Sequence, residues 1–89
     1  MDINYNLLPE HIRESMKLYI KDRIQPGGFL TAVLSNDLLG ACARADHINR
    51  KRLFDIVNFL YNEAPVICWG SPERVEKWLE GKKSEVLPD

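Results

Sequence analysis

The sequence has few cysteines, no long hydrophobic run and almost no net charge, and each shortage excludes a class of protein. Two cysteines among 89 residues, Cys42 and Cys68, are too few to hold together a secreted, disulfide-rich domain. We expect both thiols to be reduced and buried. No stretch approaches the roughly 20 apolar residues of a membrane span. The N-terminal residues MDINY also lack the features of a secretory signal, so we expect a soluble, intracellular protein.

The charged and polar residues exclude further functions. The formal charge of −1 gives the chain no general attraction to nucleic acid polymers. The sequence contains no recognisable pair of catalytic carboxylates and no Ser/His/Asp or Cys/His set at a catalytic spacing. Of the two cysteines, only Cys42 has a carboxylate, Asp46, at the spacing of helical metal ligands. We therefore expect no metal and no cofactor, and we expect binding rather than catalysis.

The spacing of apolar residues predicts an all-α fold in one domain spanning residues 1–89. Apolar residues recur every three or four positions over 9–23 and predict an amphipathic helix with Pro9 in its first turn. The sequence QPGG at 25–28 is a linker. Ser71 is expected to cap a last helix that begins at Pro72 and ends at Gly81, with a frayed tail over 82–89.

The segment 29–45 is apolar on most of its circumference if it forms one helix. Its sequence is FLTAVLSNDLLGACARA, and its polar residues form a narrow stripe of Asn36, Asp37, Gly40 and Arg44. Two other short helices cannot easily cover such a helix within one protomer. A homo-oligomer interface is the explanation we favour, and a central helix wrapped by its own chain is the alternative.

Two interpretations of the middle of the chain remain open. Asp46 can cap a separate helix that ends near 62, or 28–62 can form one long helix that is kinked near Asp46. The protomer would then have a short N-terminal helix followed by longer antiparallel or kinked helices. The short apolar run at 66–69 is compatible with an extended segment.

Three groups of residues have the composition of a binding site. Gly27 and Gly28 lead into a helix whose free N–H groups suit an anion, although the two glycines also suit a tight turn. The basic segment 44–52 has four cations that can contact phosphates or can simply face solvent. Trp69 can stack on a base, but packing in the core is the interpretation we favour.

Four segments of the chain resemble a family of small phage proteins, the anti-CBASS protein 2 family. The segments are PGGFLTAVLSNDL, ARADHINR, FLYNEAP and CWGSPERVEKW, and the resemblance covers 8–79. It implies helical protomers that assemble as hexamers and sequester cyclic di- and trinucleotides, such as cGAMP, without cleaving them. It also implies action in the cytoplasm of the infected bacterium, where loss of the messenger blocks CBASS immunity.

The resemblance further implies pockets between protomers, with an aromatic ring against a base and a cation near a phosphate. The ring is expected from Tyr5 or Tyr19. The charge is expected from Lys17, Lys21 or Arg44. A second pocket is expected to contain Gly27, Gly28, Thr31, Trp69, Gly70 and Ser71. The competing hypothesis is a small helical regulator that binds a protein or DNA through 44–52.

Overall fold

The computed structural model describes residues 3–86, with side chains up to Gly81. This range folds into helices without a β-strand, which confirms the all-helical prediction. The helices are α1 (Glu10–Asp22), α2 (Gly28–Leu34), α3 (Leu38–Arg44), α4 (His47–Lys51), α5 (Leu53–Asn62) and α6 (Pro72–Val86). Short 3₁₀ turns lie before α1, at Tyr5–Leu7, and after α5, at Val66–Cys68. Among the described helices none is both long and apolar enough to cross a membrane.

Helix α1 matches its prediction to within one residue at each end. Arg23 ends the helix in the left-handed conformation, with φ of 58°. The N–H of Arg23 donates to the Tyr19 carbonyl (3.1 Å), and the N–H of Ile24 donates to the Leu18 carbonyl (3.2 Å). This pattern satisfies carbonyls that the last turn would leave unpaired. It also turns the chain away from α1, so that Ile24 is exposed although it continues the apolar spacing of the helix four residues after Ile20.

The single helix predicted over 29–45 is wrong, because the chain breaks between α2 and α3. Asn36 adopts the left-handed conformation with φ of 64°, which short polar side chains tolerate better than most. The Asp37 side chain then accepts a hydrogen bond from the Gly40 N–H (3.0 Å) and caps α3. The break lets α2 bury Leu30, Val33 and Leu34 within its own chain. The apolar surface that stays exposed is therefore smaller than a continuous helix would leave.

A second break, at Asp46, decides between the two interpretations of the middle segment. Ala45 is extended, and the Asp46 side chain accepts a hydrogen bond from the Asn49 N–H at 2.7 Å. Asp46 is thus a true helix cap, and one kinked helix over 28–62 is wrong. A further interruption at Arg52 separates α4 from α5. The run at 66–69 is a 3₁₀ turn rather than a strand, and only Trp69 is extended.

The buried core is organised around Tyr19 of α1. The Tyr19 hydroxyl donates to the Cys68 carbonyl at 2.7 Å, and the Trp78 indole N–H donates to the Tyr19 carbonyl at 2.9 Å. These two bonds attach the 3₁₀ turn and α6 to α1. The main members of the core are Leu8, Ile12, Met16, Tyr19, Leu30, Leu34, Ile56, Phe59, Leu60, Cys68, Val75 and Trp78.

Helix α6 begins where the sequence predicts. The Ser71 hydroxyl accepts a hydrogen bond from the Arg74 N–H at 3.2 Å, which confirms the predicted cap. Val75 and Trp78 are buried and Leu79 is partly buried, as expected for the inward face. The helix continues to Val86, beyond the predicted end at Gly81. The last part of the predicted tail, 87–89, lies outside the described residues.

The two cysteines have different environments, although both were expected to be buried. Cys68 is buried, whereas Cys42 lies on the exposed side of α3. Burial raises the pKa of the Cys68 thiol to about 12, so very little thiolate forms there near neutral pH. Cys42 is accessible to solvent and to reagents.

These environments predict the number of reactive thiols. In native protein at pH 8, one thiol per chain should react with an alkylating reagent, because only Cys42 is accessible. Both thiols should react after unfolding in guanidinium chloride. Intact-mass measurement after each reaction counts the modified cysteines. Two fast-reacting thiols in the native protein would contradict the burial of Cys68.

The hydrogen bond from Tyr19 predicts a loss of stability when its hydroxyl is removed. Tyr19→Phe leaves the buried Cys68 carbonyl without its donor, and we expect the free energy of unfolding to fall by about 1–2 kcal/mol. Tyr61→Phe is the matched control, because Tyr61 lies exposed on α5, and we expect a change within about 0.5 kcal/mol. Urea denaturation measures both. Equal stability of the two variants would contradict a role for the buried hydroxyl.

Candidate ligand-binding site

An open cavity of about 370 Å³ lies where the end of α1, the second 3₁₀ turn and the start of α6 meet. We call this cavity the basic cleft. Its lining residues are Arg23, Val66, Ile67, Arg74, Lys77 and Trp78. Arg74, Lys77 and Trp78 share one face of α6, because they are spaced by three and four residues. Sequence reasoning missed this site, since Arg23 joins it only through the tertiary fold.

The position of Arg23 is fixed by contacts with α6. Its guanidinium carbon lies 3.8 Å from the centroid of the Trp78 ring, and its Nη1 atom donates to the Trp78 carbonyl at 3.4 Å. A guanidinium over an indole face is a favourable cation–π arrangement. Gly81 makes room for it, because a Cβ at that position would collide with Arg23 Nη1. The charge of Arg23 is therefore held at the edge of the cleft rather than moving freely in solvent.

Arg74 connects the opposite wall of the cleft to the start of α6. Its Nη1 atom donates to the carbonyls of Val66 and Trp69, each at 3.3 Å. No hydrogen bond within the described residues uses its Nε and Nη2 atoms. Arg74 thus holds the 3₁₀ turn with one nitrogen and keeps other donors for a ligand.

The cleft has positive charge that no carboxylate of residues 3–81 neutralises by an ion pair. Among the described side chains, the ion pairs are His11 with Asp46 and Arg52 with Asp55. Arg23, Arg74 and Lys77 belong to neither pair, and no acidic residue lines the cleft. Beside these cations lie the exposed side chains of Val66 and Ile67. The combination suits an organic anion, with phosphate against the cations and a flat, apolar group against the turn or the Arg23 guanidinium plane.

A second open cavity, of about 430 Å³, gathers three of the residues that the sequence singled out. Gly28, Thr31 and Arg44 all line it. A Cβ at Gly28 would lie 3.2 Å from Arg44 Cδ, so glycine allows this side chain to cross α2 closely. Asp37 lines the same cavity, and its carboxylate offsets the attraction of Arg44 for an anion. This cavity is therefore less suited to phosphate than the basic cleft.

The two predicted tyrosines both pack against the core of the protomer. Tyr19 is completely buried, so the protomer presents no face of its ring to a ligand. Tyr5 is not free either. Its ring lies in the first 3₁₀ turn, 5.6 Å from the Phe59 ring between centroids. Lys17 Nζ lies 5.5 Å from the Tyr5 ring centroid, so this predicted ring and this predicted cation do meet, but the ring packs against the core.

Of the remaining predicted residues, Trp69 and Gly70 contribute to the packing of the helices, whereas Gly27 and Lys21 do not line the basic cleft. Trp69 packs against the core, as favoured from the sequence. Gly70, with φ of 116°, donates its N–H to the Leu34 carbonyl at 2.7 Å and so links α2 to the start of α6. Gly27 is the residue that precedes α2. Lys21 is exposed near the end of α1 and lines neither cavity.

The basic segment 44–52 does not present its cations as one free group. Arg50 Nη2 donates to the Ala45 carbonyl at 3.4 Å. Arg52 Nε donates to the Asp55 carboxylate at 2.6 Å, and its Nη2 donates to the Leu7 carbonyl. Arg44 lines the larger cavity instead. The arginines are thus engaged with their own chain, which weakens the case for a phosphate-binding face here.

Comparison with protein families, curated proteins and solved structures found no match. The resemblance to the anti-CBASS protein 2 family therefore stays a hypothesis. Within residues 3–81, no three His, Cys, Asp or Glu side chains converge where a metal ion could bind.

The cap at Asp46 predicts a pH dependence of stability. The Asn49 N–H lowers the pKa of the Asp46 carboxyl, and His11, 3.1 Å away, lowers it further. A carboxyl with a lowered native pKa stabilises the fold above its unfolded pKa of about 4 and loses that effect as pH falls through the native pKa. Asp46→Ala should therefore melt below wild type at pH 7, with the difference shrinking towards pH 2.5. A difference in Tm that is equal at both pH values would contradict this assignment.

Proposed function

We propose that this chain is a non-catalytic binding protein for a nucleotide-type ligand, which it holds in the basic cleft. One observation carries the proposal: Arg23, Arg74 and Lys77 line a single cavity, and none of them pairs with a carboxylate among the described side chains. Exposed Val66 and Ile67 form an apolar wall beside these cations. Cyclic oligonucleotides are the first ligands to test, because the resemblance to the anti-CBASS protein 2 family implies them. In that role the protein sequesters the messenger in the infected bacterium and so blocks CBASS immunity.

The three cations of the basic cleft are suited to binding phosphate. Guanidinium groups form paired, charge-assisted hydrogen bonds with phosphate oxygens, and an ammonium group supplies a further point charge. Because Arg23 and Arg74 are held by α6 and the 3₁₀ turn, little side-chain freedom is lost when they bind. The formal charge of the whole chain is −1, so attraction to an anion must come from this local arrangement.

The apolar wall favours a nucleotide over inorganic phosphate. Val66 and Ile67 are exposed on the 3₁₀ turn and can cover a base or sugar, while the Arg23 guanidinium offers a plane for stacking. At about 370 Å³, the cleft falls at the small end of ligand pockets and is open to solvent. A cyclic dinucleotide has two bases and two phosphates, so the cleft holds part of it, which agrees with the sharing of ligand between protomers that the resemblance implies.

The alternative regulator has less support from the geometry. It requires the cations of 44–52 to face a partner together, whereas three arginines of that segment contact carbonyls or a carboxylate of their own chain. His47 and Lys51 are exposed there, but neither lines a cavity with a second cation.

A ligand panel tests the proposal. Thermal shift of the full chain should show a rise in Tm with one or more cyclic di- or trinucleotides, and a smaller rise or none with inorganic phosphate. Lys77→Gln should weaken the binding of that nucleotide by about tenfold in calorimetry, because one charge-assisted contact is lost. Lys77 makes no hydrogen bond in the described residues, so the variant should fold normally.

The control removes the same charge elsewhere. Lys51→Gln, on the exposed side of α4, should bind like wild type. Mass spectrometry of the ligand released by denaturation should recover it intact. No rise in Tm across the panel, equal weakening by both lysine variants, or a cleaved ligand would each contradict the proposal.

A further inference from the structure

Arg23 has a backbone conformation in which glycine is the usual residue. It follows the last residue of α1 with φ of 58° and ψ of 41°, which lies in the left-handed region. Glycine is common at this position after a helix, because a Cβ raises the energy of a left-handed backbone. A side chain that is kept at such a position is a candidate for a functional role. The presence of arginine here therefore needs a reason that lies in its side chain.

The attachment of α6 to α1 does not supply that reason. The Trp78 indole N–H already donates to the Tyr19 carbonyl at 2.9 Å, and Val75 and Trp78 are both buried. The Arg23 side chain adds one longer bond, from its Nη1 atom to the Trp78 carbonyl at 3.4 Å. Within the described residues, its Nε and Nη2 atoms donate no hydrogen bond. Most donors of this guanidinium are thus left for a ligand.

The guanidinium of Arg23 has one covered face and one face that a ligand can reach. Its central carbon lies 3.8 Å from the centroid of the Trp78 ring, so the indole covers the first face. Because the side chain also lines the basic cleft, the face directed away from Trp78 is the one open to a ligand. In the same cleft, Val66 and Ile67 are 58% and 64% exposed. A flat ring that binds here can contact both the guanidinium plane and these apolar side chains.

We propose that Arg23 selects a purine base, which stacks on the free face of its guanidinium while a phosphate contacts Arg74 and Lys77. This inference rests on the proposed function and adds the class of base to it. Stacking on a guanidinium plane gains energy with the number of ring atoms in contact, so a two-ring base gains more than a one-ring base. The Trp78 ring holds the guanidinium in place, and little side-chain freedom is lost when the base binds.

Calorimetry of the full chain with two cyclic dinucleotides tests the proposal. Cyclic di-AMP and cyclic di-UMP have the same phosphates and sugars and differ only in the base. Wild type should bind cyclic di-AMP at least about fivefold more tightly than cyclic di-UMP, because the purine stacks over a larger area. Arg23→Lys keeps the charge but removes the plane. It should bind the two nucleotides within about twofold of each other, mainly through a loss of affinity for cyclic di-AMP.

Arg23→Gly is a second variant, in which the fold is favoured while the side chain is lost. Because glycine suits φ of 58°, this variant should keep the far-ultraviolet circular dichroism of wild type. It should also lose the preference for cyclic di-AMP. Lys77→Gln is the matched control, since it removes a cation of the same cleft that has no plane. It should weaken the binding of both nucleotides by a similar factor and so keep the ratio of their affinities.

The outcomes separate this proposal from the proposed function. Equal affinity of wild type for the two nucleotides, or a preference that survives both Arg23 variants, overturns selection by Arg23 and leaves the proposed function intact. A preference that Lys77→Gln abolishes as fully as Arg23→Lys also overturns it, because the plane is then not what selects the base. Binding of neither nucleotide overturns it too, and the proposed function then depends on the rest of the ligand panel.

Discussion

The pair of buried hydrogen bonds at Tyr19 is the constraint on which the rest of the structure depends. Its hydroxyl holds the 3₁₀ turn through Cys68, and its carbonyl holds α6 through Trp78. Because buried donors and acceptors must be paired, the two bonds fix the positions of α1, the 3₁₀ turn and α6 relative to one another. Arg23 follows Tyr19 by one helical turn and thus reaches the same face of α6. The walls of the basic cleft are in this way set by a bond in the core.

Local patterns in the sequence predicted much of this fold. The structure confirms the helix predicted over 9–23, the caps at Asp46 and Ser71, and Pro72 as the first residue of α6. Each of these predictions depends on residues that are close together in the sequence. The break between α2 and α3 is not evident from the sequence, because Asn36 and Asp37 also fit a polar stripe on one continuous helix. A short polar run inside an apolar segment can be a stripe on one helix or a break between two helices. The burial of α2 within its own chain shows that it is a break.

The candidate site was harder to predict, for a physical reason. Arg23 and Trp78 are separated by most of the chain, and their contact follows from the αL turn at Arg23 and from Gly81, which leaves space for the guanidinium. Neither feature has a local sequence pattern. Tyr19 shows the opposite case: an aromatic residue on the apolar face of a helix suits either a ligand or the core, and the structure buries it in the core. By contrast, Gly28, Thr31 and Arg44 do meet in one cavity.

The central claim is that a nucleotide binds at the basic cleft, and the two tryptophans allow a direct measurement. Trp78 lines the cleft, whereas Trp69 lies outside its lining and packs against the core. In a proton–nitrogen correlation spectrum, each indole N–H gives its own peak. Titration with a cyclic dinucleotide should shift the Trp78 indole peak in a saturable way and shift the Trp69 peak less. Two unchanged indole peaks at saturating ligand, or a shift confined to Trp69, would contradict the claim.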